Sequence, residues 1–175
     1  MLNINNRFMN GVVGGWETGG IVTVQSGVPA TLSIGGVDNS ETTSGYDRPN
    51  ATGAPLYASN PTPAQWFNPA AFVEAPPGQF GNVGRDTMIA PGTFIINGEV
   101  HKEFHMPHLE SHRLQFRLEA FNMLNHPNWG EPNVNILAGA AFPGQPSTNA
   151  HQAFGTITTT AQSMRQLQLG LKYQF

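Results

Sequence analysis

The chain has 175 residues, of which 11% are charged, where an average soluble domain carries about 25%. Its formal charge of -3 leaves no basic surface for nucleic acid, and the absence of cysteine removes disulfides and thiolate metal sites. No run approaches the roughly 18 apolar residues of a transmembrane helix, so low charge here points to strands that alternate between lipid and lumen.

Residues 1–8 (MLNINNRF) contain neither a basic n-region nor an apolar h-region. A protein bound for an outer membrane needs an export signal, so the chain is expected to be the tail of something longer. The first predicted strand runs from 15 to about 31. Trp16, Val22 and Val24 fall on one side, Glu17, Thr23 and Gln25 on the other, and Ile21 intrudes on the polar side. A long loop follows, about 33–93, rich in the glycine, proline and asparagine that make turns. In it Asp38, Asn39, Glu41 and Asp47 offer oxygen ligands that suit Ca²⁺, but without the spacing of an EF-hand loop. They are expected to bond their own backbone and shape turns. Trp66, Phe67, Phe72 and Phe80 either present rings to a glycan or peptide or pack the loop together, and packing is the preferred reading.

The second predicted strand spans 94–104. Phe94, Ile96, Gly98, Val100 and Phe104 share one face; Asn97, Glu99, His101 and Glu103 share the other. His101, His105, His108 and His112 would form a metal stripe on a helix, but Pro107 breaks that helix, and a polar turn carries histidines without any ligand role. No metal site, cofactor or catalytic group is assigned; no nucleophile elbow occurs, and the chain is not expected to be an enzyme. The third strand, 113–122, places Leu114, Phe116, Leu118 and Ala120 opposite Arg113, Gln115, Arg117 and Glu119. Asn122, Asn125, His126, Pro127 and Asn128 read as turn formers that end its ladder. A second long loop, about 125–163, leads to the last strand, 165–175. There Leu167, Leu169, Leu171, Tyr173 and Phe175 form a greasy face against Gln166, Gln168, Gly170, Lys172 and Gln174. An aromatic carboxy-terminal residue with a tyrosine two places earlier suits a membrane interface.

The connections test this order. If Phe175 lies at the periplasmic rim, the segments around 123–164 and 32–93 are extracellular, and those around 105–112 and 8–14 are periplasmic. Outer-membrane barrels have long extracellular loops and short periplasmic turns, and the lengths here alternate as required. The expected fold is therefore all-β: an antiparallel transmembrane β-barrel segment of about four strands with two long extracellular loops. Four strands cannot close a barrel, and open edges in lipid leave backbone groups unpaired, so the barrel is incomplete.

Several blocks keep their order along the chain: GWETGGIVTVQSGVP (15–29), VDNS (37–40), DRPN (47–50), WFNPAAF (66–72), FGNVGR (80–85), APGTF (90–94) and RLQFRLEAFNMLNHPN (113–128). With the final strand, they resemble the carboxy-terminal barrel part of Oar-like TonB-dependent receptors across essentially the whole chain, 1–175. The resemblance implies a barrel of the 22-stranded transporter class with a plug in its lumen. It implies that the face formed by Leu167, Leu169, Leu171, Tyr173 and Phe175 is the signal read by the barrel-assembly machinery. It also implies outer-membrane lipid, the remainder of the receptor and an unidentified extracellular ligand as partners, and the TonB complex only through an amino-terminal part that this sequence lacks. Two other classes remain open at this point: a secreted or surface β-rich adhesin, and a metal-binding or hydrolytic enzyme built on the histidine run.

Overall fold

The computed structural model describes residues 12–35, 38–43, 47–106, 112–137 and 153–175. The amino-terminal segment 1–8, His108 and the middle of the second long loop therefore lie outside the described residues. In chain order the strands are β1 (Trp16–Gln25), β2 (Pro29–Ala30), β3 (Asn50–Ala51), β4 (Tyr57–Thr62), β5 (Gln65–Phe67), β6 (Phe72–Val73), β7 (Met88–Ile89), β8 (Thr93–His105), β9 (Arg113–Phe121) and β10 (Gln166–Gln174). A 3₁₀ turn, Pro69–Ala71, is capped by the Asn68 side chain, which accepts from the Ala70 N–H. Among the described residues no helix is long and apolar enough to cross a membrane.

The chain divides into two compact units. In the first, β1, β8, β9 and β10 form one four-stranded sheet in that order. β8, β9 and β10 are antiparallel neighbours, with Val100 opposite Leu118 and Leu118 opposite Leu169. Glu17 meets His101 at 3.0 Å, and the α-carbon of Gly19 lies beside the Glu99 side chain, so β1 also runs against β8. β9 and β10 each have nine residues, the length of a tilted membrane strand. The sheet is all-β, antiparallel and unclosed, an incomplete barrel.

The second unit is built from residues 25–93 and 128–162. Here the long loops carry structure that alternation alone did not reveal: β2 pairs with β7, β3 with β6 and β4 with β5. The first strand was expected to continue to about 31, but it ends at Gln25. Gly27 packs so tightly on the Ala90 carbonyl that any side chain would collide with it, and Pro29 begins a different ladder, against Ile89. Leu32, Phe67, Ala71, Phe72, Val83, Met88 and Phe154 form the core of this unit. The Phe154 ring, from the second loop, lies 5.6 Å from those of Phe67 and Phe72 in the first. Backbone bonds join the same two segments: Ser33 N–H donates to the Val134 carbonyl at 3.1 Å, and Trp66 N–H to that of Gly155 at 2.9 Å.

Candidate functional site

Period-two alternation gives the sheet two chemically opposed faces. Leu167, Leu169, Leu171 and Tyr173 of β10 align with Ala120, Leu118, Phe116 and Leu114 of β9. Gly98, Val100, Lys102 and Phe104 of β8 continue the same rows. Leu167, Leu169 and Leu171 remain 66–71% exposed and Phe175 89%. Every buried hydrophobic residue among those described belongs instead to the loop unit. A water-soluble sheet folds the other way round, with its greasy face covered and its loops bare. A face of leucines left open is stable against hydrocarbon, which the sheet meets at no hydrophobic cost.

One end of this face carries an aromatic rim. Trp16 sits edge-on to Phe116 at 6.1 Å, and the rings of Tyr173 and Phe175 lie 6.3 Å apart. The Tyr173 hydroxyl and His112 Nδ1 share a hydrogen bond. Lys102, which the sequence reading left unassigned, is the one charged residue of the four strands on this face. It is buried, donates from Nζ to the carbonyls of Val12 (2.9 Å) and Gly14 (2.7 Å), and lies over the Trp16 and Phe104 rings. Its stem crosses apolar surface while its ammonium reaches the strand end, the geometry of a residue at a membrane boundary.

The opposite face is an ionic ladder. Register places Glu99 directly across from Glu119, a like-charge pair that on its own destabilises a sheet. Arg117 resolves it, with Nη2 at 2.6 Å from Glu99 and 2.8 Å from Glu119. Glu17 contacts His101 at 3.0 Å, and Arg113 lies 3.8 Å from Glu103. Ile21 and Phe121, two large apolar residues of this face, join Glu99, Arg117 and Glu119 around a cleft of about 340 Å³. The arrangement binds strand to strand and offers an aqueous lumen a charged, largely neutralised surface.

The remaining sequence candidates disperse. His101 and His105 project to the ionic face, whereas His112 lies against Tyr173 on the other. A four-residue spacing that clusters on a helix becomes about 13 Å along a strand, and no cluster of three metal-ligating side chains occurs among the described residues. In the loop unit the Asp38 carboxylate accepts from Thr42 N (3.0 Å) and Thr43 N (2.6 Å), and Asp47 from Ser40 N (2.7 Å). These are turn-shaping bonds. Phe67 and Phe72 are core residues, and Trp66 packs on that core and donates to the Ile89 carbonyl at 3.0 Å, while Phe80 is 68% exposed. The packing reading thus describes three of the four rings. Asn122 and Asn125 both adopt left-handed backbone at the exit of β9, the conformation that ends a ladder.

The family model described as outer membrane beta barrel domain matches residues 1–168. Searches of curated proteins and of solved structures return no match.

Proposed function

The chain belongs to the outer membrane beta barrel domain family and resides in the outer membrane, and from that premise we propose that it supplies wall strands and surface loops to a TonB-dependent receptor of the Oar-like kind. The observation that carries the reading is the inverted burial: an open leucine face on the sheet and a closed core in the loops. Within this reading the apolar face meets outer-membrane lipid, and the ionic face lines a lumen filled by the receptor's plug. Further strands of the receptor cover the free edges of β1 and β10, because bare edges in lipid cost several kcal/mol for each unpaired backbone group. The row Leu167, Leu169, Leu171, Tyr173, Phe175 serves as the signal for the barrel-assembly machinery. The loop unit meets an extracellular ligand, and energy reaches the receptor from the TonB complex through its amino-terminal part. The work assigned is structural and receptive, not catalytic.

Two measurements on the full-length protein in cells test this. Deleting Phe175 is expected to lower outer-membrane insertion while export across the inner membrane continues; unchanged insertion would remove the signal role. Photo-crosslinking is expected to capture TonB in the presence of ligand-containing medium. A heat-modifiable barrel that never crosslinks to TonB and works normally without it would belong to another class of barrel. A secreted adhesin, by contrast, would be extracted without detergent and show no heat-modifiable mobility.

A further inference from the structure

We propose that the loop unit contains a binding cleft for an oxyanion, the carboxylate or phosphate group of a small ligand; this deepens the receptor reading above and rests on it. Residues 25–93 and 128–162 hold six carboxylates, Asp38, Glu41, Asp47, Glu74, Asp86 and Glu131, against two guanidinium groups, Arg48 and Arg85. In so acidic a unit, each arginine has ample carboxylate to pair with. Instead both line a single cleft of about 620 Å³, with Thr31, Leu32, Ser33 and Val134.

The neighbouring acids are otherwise engaged. Asp86 accepts from Thr31 Oγ1 at 2.7 Å, and Asp47 accepts from Ser40 N at 2.7 Å and Ser40 Oγ at 2.8 Å. Among the described residues neither guanidinium has an ion-pair or hydrogen-bond partner. The backbone beside each arginine is nevertheless fixed. Ile34 N–H donates to the Asp47 carbonyl at 3.0 Å and Val83 N–H to the Pro49 carbonyl at 3.1 Å, on either side of Arg48. Asp86, next to Arg85, is held in left-handed backbone as its N–H donates to Thr31 Oγ1 at 3.0 Å.

Two like charges gathered in one cleft repel each other, and a bound anion converts that repulsion into attraction. Guanidinium groups match carboxylate and phosphate oxygens with paired N–H donors, and an apolar wall such as Leu32 and Val134 strengthens the field between them. The cleft's volume suits a small organic acid or the charged end of a chain, not a folded protein. The oxyanion could arrive as a free solute or as the phosphate of a lipid headgroup.

The test uses the full-length protein in maltoside micelles, titrated at low salt with citrate and with inorganic phosphate. Saturable binding of either is expected, weakened about tenfold or more by Arg48→Gln or Arg85→Gln, partly restored by Arg48→Lys, and unchanged by Arg165→Gln in the sheet unit. Binding of the free probes assigns a solute. Phosphorus that copurifies with the wild-type chain and is lost from the Arg48→Gln, Arg85→Gln double variant assigns a headgroup. Equal binding by that double variant, or neither binding nor retained phosphorus in a heat-modifiable protein, would overturn the cleft alone. Anion binding by a protein without heat-modifiable mobility would support the cleft and sink the receptor reading.

Discussion

Lys102 shows how one residue can contradict a sequence pattern and still belong to the fold. Alternation places it among Val100 and Phe104, where a charge in lipid is costly, yet its ammonium donates to two backbone carbonyls at the strand end. Lys102→Met leaves the Val12 and Gly14 carbonyls without that donor and is expected to cost about 1–3 kcal/mol, read from Trp16 fluorescence during urea unfolding in micelles with Trp66 and Trp129 replaced by Phe in both proteins. Leu169→Arg is expected to cost about 2–4 kcal/mol in lipid if the residue lies near the bilayer centre, and Gln168→Arg, on the opposite face, far less; equal losses would mean that the faces are reversed. Arg117→Met exposes Glu99 to Glu119 and is expected to lower stability, with a smaller loss at high salt because the repulsion is screened. The sequence showed that Arg117 and both glutamates share a face. It did not show that the glutamates stand opposite each other, because register between strands is a long-range property that no single strand contains.

At the scale of elements, the four long strands were legible to within a residue at every end but the last of β1, and the short strands β2 to β7 of the loop unit were not. The alternation of 113–121 and 166–174 survives in β9 and β10 because one continuous apolar face imposes it. β1 stops six residues before its expected end because Ala90 and Ile89, far along the chain, take over the backbone at Gly27 and Pro29. The exit of β9 is where local signal and long-range structure agree. Asn122, read as a ladder-ending turn residue, also donates from Nδ2 to the carbonyls of His126 (3.0 Å) and Ser163 (3.2 Å), while its N–H reaches the Asn97 side chain at 3.0 Å. Asn125 accepts from Arg165 N at 3.0 Å. These bonds tie the exit of β9 and the entry to β10 to the body of β8. Asn122→Gly keeps the left-handed backbone accessible but removes the amide, so it isolates the side-chain bonds. It is expected to cost about 1–3 kcal/mol and to speed amide hydrogen exchange at the start of β10 more than at its end.

Across the whole molecule, the distribution of buried apolar side chains separates a membrane wall from a soluble sandwich, and composition alone had only hinted at it. The low charge of the chain was legible; that the buried hydrophobic residues among those described all sit in the expected loop segments was not, because Phe154 and Phe67 meet only once the chain has folded. Phe154→Ala is expected to cost the loop unit about 3–5 kcal/mol. Limited proteolysis should then cleave residues 25–93 faster than in the wild type, with heat-modifiable mobility of the barrel unchanged. Loss of that mobility would mean that the wall depends on the loop core. The segments that supply this core stand on either side of the whole β8–β9 hairpin. Contacts between such distant segments form slowly, because the intervening chain must first be closed into a loop. The loop core is therefore expected to form late, and a conformational antibody raised against it would act as a clock: in a refolding time course its binding should lag behind protection of the β8–β9 amides.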